Sequence, residues 1–405
     1  MTTVPPILPE EGSRAAASAR WAAGEVYGVP EAVRELWREA PVREFTTEHG
    51  LNGWLVTGMK EVRDALSDPR LSRAEARRIG AVDALSTVSE NNAPADARLR
   101  SLLAGAFGAR RSRAPRHRIQ QITDELIRPL AEAGPPADLI TGLCRPLPLL
   151  VVFEILGCPP QDRERISDWS ERVTATSAHA PEESQKAFQA IIDYMTALVE
   201  AKRRHPDDSL LQDLITACDD QGRLTERELV YSSCGLLLAG NETTATVLGK
   251  GLLALLDHPD QLAALRADRS LLPSAVEEVL RYVPLSTRPH GGQVRATTCD
   301  VELGGVTVPA HSAVFANSQA ANLDPETFAD PGRFDITREG SARHVTFGYG
   351  PHYCLGAHVA RMELEVAFGS VLAAFPGLKL TVPAGELSHA EGGLVVGLRE
   401  LPVTW

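Results

Sequence analysis

Downstream of Thr225 the chain keeps a helical pattern for about 32 residues, to about position 257, a span on the order of 48 Å at 1.5 Å per residue. The segment opens on Thr225-Glu226-Arg227-Glu228, a capping-box pattern in which the threonine hydroxyl and the glutamate carboxylate each accept an otherwise orphaned N–H of the first turn. Its middle, Cys234-Gly235-Leu236-Leu237-Leu238-Ala239-Gly240, is apolar around most of its circumference, so other elements must cover it on all sides. A helix of that length, buried along its middle, requires a large and mainly helical body around it. Asn241-Glu242-Thr243-Thr244 then place four polar residues in that surface. Buried polar groups cost free energy unless partnered, so something nearby must use them.

The rest of the chain is consistent with such a body. It has 405 residues, 43% hydrophobic and 23% charged, enough to build a large core. Lys+Arg number 41 against 53 Asp+Glu, a formal charge of −12. With no dense basic tract, nucleic acid is excluded as a partner. Residues 1–20 carry Pro5, Pro6, Pro9, Glu10 and Glu11 and no apolar run, which fits neither a signal peptide nor an anchor. The longest apolar stretch, 139–157, is broken by Arg145, Pro146, Pro148 and Glu154; no membrane span is expected, and the cytoplasm is the default compartment. Six cysteines without a C-x-x-C pair fit neither a disulfide scaffold nor a zinc ribbon.

Residues 1–24 read as a flexible, Pro/Ala-rich lead-in and 25–405 as a single domain. A short helix is expected at 30–39, then strands at 42–47 and 54–57 joined by a glycine-rich hairpin loop. Residues 59–267 are helical in period, with breaks at Asp68-Pro69, 86–94, Gly134-Pro135-Pro136, Cys158-Pro159-Pro160, Ala180-Pro181 and His205-Pro206. Short β-like runs follow at 300–303 and 306–308, then a helix at about 355–374 and a strand-like tail. The fold class is mainly α with a minor β portion.

The residues richest in chemistry are Phe347-Gly348-Tyr349-Gly350-Pro351-His352-Tyr353-Cys354-Leu355-Gly356-Ala357-His358-Val359-Ala360-Arg361. They form a glycine-rich turn feeding a helix, with a cysteine at the junction. Glycines at 348, 350 and 356 permit positive φ and close backbone approach. The positive end of the following helix favours a thiolate, and Phe347 can shield the sulfur from water. Such a cysteine is a nucleophile or a ligand to a soft or borderline metal.

This loop resembles the haem-binding signature of the cytochrome P450 family, in which a proximal cysteine thiolate ligates iron. The resemblance runs from about Asp96 to the C-terminus and, in spacing, looks like a soluble bacterial member. It implies the cytochrome P450 fold, with a long central helix over a buried haem b (iron protoporphyrin IX). Cys354 would be the iron ligand, and Phe347, Gly348 and Gly356 share its signature. Ala239-Gly240-Asn241-Glu242-Thr243-Thr244 is similar to the family's oxygen-activation motif. Ala239 and Gly240 would leave a groove for dioxygen, while the Thr243 hydroxyl and the Glu242 acid relay protons. Read alone, a Thr-Thr pair in a helix is more often packed or bonded back to its own backbone.

Glu278-Val279-Leu280-Arg281 resembles the family's E-x-x-R motif, and Pro331-Gly332-Arg333-Phe334 the segment that supplies a second arginine. By that resemblance Glu278, Arg281 and Arg333 form a network fixing the scaffold behind the cysteine loop. Position matching nominates Arg100, Arg295 and His352 to hold the haem propionates. One departure is Asp96, where many relatives place a histidine; a carboxylate there repels a propionate and is expected to turn toward Arg98 or Arg100, or the local backbone to differ. The substrate pocket implied by family topology includes Leu236, Ala239, His290, Leu394 and Val395. The segment 285–292 within it is polar enough either to bind a polar substrate group or to be an exposed loop.

The activity so implied is a monooxygenase that uses O2 to hydroxylate or epoxidise a small organic substrate in secondary-metabolite biosynthesis. No G-x-G-x-x-G fingerprint is present, so electrons would come from a ferredoxin or flavodoxin with its reductase. Arg110, Arg111 and Arg113 are candidates to receive that partner, and a monomer is expected. The same fold catalysing oxidative coupling, or a non-catalytic haem-based ligand sensor, are the other readings.

Overall fold

The computed structural model describes residues 40–47, 50–81, 93–106, 114–174, 181–220, 222–286, 293–390 and 395–405. The lead-in at 1–24 and the helix expected at 30–39 lie outside these. In chain order, β1 (Val42–Thr46) and β2 (Asn52–Val56) precede α1 (Met59–Ser67), β3 (Leu71–Ser72) and α2 (Arg73–Arg78). Next come α3 (Ala93–Ala106), α4 (Ala114–Ala133), β4 (Ala137–Asp138), α5 (Pro146–Leu156), α6 (Arg163–Thr174), α7 (Pro181–Arg204) and α8 (Leu210–Asp219). The long helix α9 (Glu226–Asp257) leads to α10 (Pro259–Ala267) and α11 (Leu272–Tyr282). The chain continues through β5 (Gln293–Thr297), β6 (Val301–Leu303), β7 (Val306–Val308), β8 (Ala313–Ala316) and α12 (Ser318–Asn322). It ends with α13 (Ala357–Ala374), β9 (Lys379–Leu380) and β10 (Pro402–Thr404). Helix predominates and β is minor, as the sequence predicts.

These elements form two compact units. The first comprises Met1–Ser86, Glu277–Cys354 and Pro383–Glu386, and its frame is a five-stranded sheet in the order β1-β2-β8-β5-β3. The predicted hairpin is β1 and β2, paired antiparallel from Val42↔Val56 to Thr46↔Asn52. Gly50 takes φ +81° in its loop, where a side chain would be strained. Side chains alternate across the sheet. Phe45, Leu55, Ala313 and Phe315 pack on one face, while Val42, Val56 and Val314 pack on the other with Met59, Val62, Ala65 and Leu66 of α1. That apolar helix face holds α1 in place.

The second unit comprises Thr87–Val276, Leu355–Val382 and Leu387–Trp405. Its axis is α9, which packs against α5, α7, α8 and α13. The capping box forms as read: the Thr225 hydroxyl accepts from the Glu228 N–H at 3.2 Å, and the Glu228 carboxylate accepts from the Thr225 N–H at 2.8 Å. The helix runs 32 residues, stopping before His258-Pro259. Arg98 of α3 binds Glu228 and the Arg223 carbonyl, so its charge is committed near the start of α9; the Asp96 side chain lies outside the described residues. A small antiparallel sheet, β4-β10-β9, is tied down by Asp138, whose carboxylate accepts from the Leu401 N–H at 2.7 Å. Among the described residues no helix is long and apolar enough to cross a membrane.

Candidate functional site

Cys354 sits at the end of a loop whose shape is set by two glycines. The Gly348 N–H donates to the Val345 carbonyl at 2.8 Å, the Tyr353 N–H to the Gly350 carbonyl at 3.1 Å, and the Cys354 N–H to the Phe347 carbonyl at 2.8 Å. Gly348 and Gly350 have φ of +75° and +69°, a region that side chains other than glycine's enter only under strain. Space forbids a side chain as well: a Cβ on Gly348 would lie 2.3 Å from Gln293 Nε2, and one on Gly350 3.0 Å from the Ser67 backbone. Gly356 has an ordinary φ of −84° and serves as the N-cap of α13.

The six cysteines are all free, and their surroundings separate them. Burial pushes the Cys144 thiol up, and the Cys158 and Cys234 thiols up to about 12; these are inert core groups. Cys354 is exposed, three residues before the positive end of α13, where a thiolate is favoured. Phe347 stacks edge-on against Tyr353 at 6.2 Å. Cys218, Asp219 and Glu226 also approach one another, but Arg203 bonds both carboxylates, at 2.7 and 2.6 Å. They form an ion-pair cluster.

Behind the loop lies a buried ion pair. The Arg281 guanidinium donates to both Glu278 carboxylate oxygens at 2.8 and 2.7 Å, and both side chains are fully buried. Arg281 also donates to the Asn322, Pro331 and Arg333 carbonyls at 3.0, 2.8 and 3.2 Å. The expectation that the Arg333 side chain completes this network is corrected here. That side chain is 62% exposed and points to Asp335 at 3.9 Å, so Arg333 contributes only its carbonyl. The second arginine is Arg338, which donates to Glu278 Oε1 at 3.1 Å and is almost fully buried.

A second chain of bonds carries this rigidity forward. Asn322 donates to Thr346 Oγ1 at 2.8 Å and accepts from the Val345 N–H at 2.7 Å, while Thr346 donates to the Leu280 carbonyl. Val345 and Thr346 lead directly into the cysteine loop. Of the other residues nominated in this unit, Arg295 is 2% exposed on β5 and His352 is half-buried in the turn Gly350–His352. His290 lies outside the described residues.

In the second unit, α9 supplies the polar interruption that the sequence shows. Thr243 donates its hydroxyl to the Ala239 carbonyl at 2.8 Å, Glu242 is half-buried, and Ala239 is exposed midway along the helix among half-buried neighbours. Gly240 also serves the packing of the helix. A Cβ there would lie 2.6 Å from Val152 Cγ2, so its smallness lets α5 approach α9. Leu236, Arg100 and Val395 are half-buried; Leu394, Arg110, Arg111 and Arg113 lie outside the described residues.

Two buried ionisable residues, Lys250 and Glu363, and the half-buried His389 escape sequence reading. Lys250 on α9 is fully buried, which lowers its ammonium to about 7. His389 is lowered to about 4, first by burial and then by the Lys250 charge. Glu363 on α13 is 3% exposed and burial raises its carboxyl well above the usual range; its Oε2 has no hydrogen-bond partner among the described residues. For Lys250 and Glu363 only their positions on apolar helix faces could have hinted at this, and helical charges usually point outward; His389 sits in a β-bridge with Leu398.

The donor set suits a haem. Within the first unit it offers an exposed thiol on a glycine loop, of a kind that could ligate iron, and a buried arginine, of a kind that could take a propionate. A family model described as Cytochrome P450 matches residues 168–383. The chain is 41% identical over 377 residues to the nocardicin C N-oxygenase of Nocardia uniformis subsp. tsuyamanensis, covering 91% of this chain and 94% of that one. It is 38% identical over 389 residues to the mycinamicin IV hydroxylase/epoxidase of Micromonospora griseorubida, covering 94% and 97%. The solved LnmA cytochrome P450 hydroxylase, from the leinamycin biosynthetic pathway of Streptomyces atroolivaceus S-140, aligns with a TM-score of 0.87 at 42% identity, covering 94% of this chain and 97% of that one. With its cysteine loop, its Glu-x-x-Arg pair and this likeness along nearly its whole length, the chain belongs to the cytochrome P450 family, as a monooxygenase whose cofactor is haem b.

Proposed function

We propose that this monooxygenase inserts oxygen into a small secondary metabolite, by hydroxylation or epoxidation, with Cys354 as the iron ligand. Haem b, when bound, supplies the activation of dioxygen. The chain's own residues anchor it and manage protons. Arg295, Arg100 and His352 hold the propionates, Phe347 keeps water from the sulfur, and Glu242 and Thr243 hold and pass protons on α9. Glu278, Arg281 and Arg338 keep the cysteine loop in shape. Leu236, Ala239 and Val395 line the substrate pocket.

Electrons come from a ferredoxin or flavodoxin with its reductase. The protein works as a cytoplasmic monomer, residues 25–405 acting as one domain, without nucleic-acid or membrane partners. The relatives named for nocardicin C and mycinamicin IV support a secondary-metabolite substrate.

The observation that carries the reading is the exposed Cys354 on a loop closed by its own N–H to the Phe347 carbonyl at 2.8 Å. The reduced protein under carbon monoxide should show the long-wavelength Soret band of thiolate ligation, and Cys354→Ala should lose it. An unchanged spectrum in that variant overturns the reading. A compound library screened for the spin-state change that follows displacement of iron-bound water then identifies the substrate scaffold.

A further inference from the structure

Gln293 stands between two parts of the haem site that the sequence treats separately. It opens β5, pairing with Ala316 on β8, while Arg295 pairs with Val314. Residues two apart on a strand face the same side, so the Gln293 and Arg295 side chains lie together while Val294 turns to the opposite face, against the cluster of Phe45, Leu55 and Phe315. The amide oxygen of Gln293 accepts from the Arg295 guanidinium at 2.9 Å, and the Val294 carbonyl accepts from its other arm at 3.0 Å. The amide nitrogen of Gln293 meets the cysteine loop, 2.3 Å from where a Cβ on Gly348 would stand. One planar amide therefore touches the buried cation on one side and, on the other, the positive-φ turn that leads to Cys354.

The chemistry of that position is specific. Arg295 is 2% exposed, and a guanidinium taken out of water must be fixed by good acceptors or it relaxes toward any anion within reach. Gln293 provides such an acceptor, its side-chain oxygen lying 2.9 Å from one arm of the guanidinium. Its length also counts: an asparagine, one methylene shorter, cannot span from Arg295 to Gly348. Gly348, in turn, can carry no side chain at that contact, so the loop rests on the amide itself.

We propose that Gln293 is a positioning residue for the cofactor. It braces the Arg295 guanidinium against the Gly348 turn, so the cation that receives a propionate and the loop that carries the iron ligand are held in one fixed relation. The proposal rests on the reading that Cys354 ligates the iron and Arg295 binds a propionate. Freed of its brace, Arg295 keeps its charge but loses its orientation, and haem is held less tightly while thiolate ligation persists.

The test is haem transfer from the ferric holoprotein to excess apomyoglobin, together with the ferric/ferrous midpoint potential, in wild type, Gln293→Ala, Gln293→Glu and Arg295→Leu. Gln293→Ala should lose haem about tenfold faster, the scale of one hydrogen bond to a charged group. Gln293→Glu keeps the acceptor and should restore retention to within about twofold. Its added charge should move the midpoint to more negative potential. Both variants should keep the thiolate-type carbon monoxide spectrum. If Gln293→Ala holds haem like wild type while Arg295→Leu releases it, the bracing role is wrong and the propionate assignment stands. If Arg295→Leu retains haem like wild type, the propionate assignment itself fails and the proposal falls with it. Equal, rapid loss from Gln293→Ala and Gln293→Glu would mean that the amide only fills space, which also overturns the proposal. Should Gln293→Ala fail to hold haem through purification, rescue by Gln293→Glu decides the question.

Discussion

Arg333 and Arg338 show how much one side chain's surroundings decide. Both follow Pro331 closely, and the Pro-Gly-Arg-Phe pattern points to the first. Asp330 has φ +46°, and in the turn that follows, the Arg333 carbonyl points inward to Arg281 and its side chain outward. Arg338 reaches back to Glu278 and to the Arg333 carbonyl at 3.1 and 2.6 Å. Removing one partner of a buried charge network costs about 3–5 kcal/mol. Arg338→Met should therefore lower the unfolding free energy obtained from denaturant titration by that scale, whereas Arg333→Ala should change it by less than about 0.5 kcal/mol. Equal effects from the two variants would restore the original assignment. Glu278 and Arg281 themselves were legible as a network through their resemblance to the family's E-x-x-R motif; their three-residue spacing alone put them only on one helix face.

Among the elements, those built from local rules were read best. The β1–β2 hairpin needs only alternation and a glycine loop, and the start of α9 needs only Thr225 and Glu228. Helix-on-helix packing is different, because its partners are distant in sequence. Gly240 read as part of a groove for a ligand, and the sequence did not show that its missing Cβ also admits Val152 of α5. Gly240→Ala should cost about 1–3 kcal/mol, the usual price of overpacking, measured as a lowered thermal midpoint. Adding Val152→Ala should recover at least half of that loss. If the double variant is no more stable than the single one, the clash is not the cause. The cysteine loop lies between these cases. Its glycines at 348 and 350 were visible from spacing, but the contact each one makes, with Gln293 and with Ser67, came only from the tertiary arrangement.

For the whole molecule, the buried ionisable groups set how stability follows pH. The Lys250 ammonium falls from an ordinary 10.5 to about 7 in the folded protein because burial disfavours its charge. Between those values the unfolded chain holds the proton and the folded chain does not, so stability rises with pH from about 7 to 10.5 and the penalty is complete below about 7. Lys250→Met should raise stability at neutral pH by about 1–4 kcal/mol and flatten that rise, as read from denaturant midpoints at neutral and alkaline pH. An unchanged slope would show that Lys250 is solvated in solution. His389 acts in the same direction between about 4 and 6.5. Glu363, whose carboxyl is raised, acts in the opposite sense above 4.5. By itself the sequence determined what depends on near neighbours: the periods of the helices and strands, the cap of α9, and the glycine-rich cysteine loop. Only the tertiary structure decided that Arg338 completes the buried pair, that Lys250 and Glu363 lie in the core, and that Gln293 joins Arg295 to Gly348. Burial and ion pairing across the fold depend on the three-dimensional arrangement of residues far apart in the chain, which no local pattern encodes.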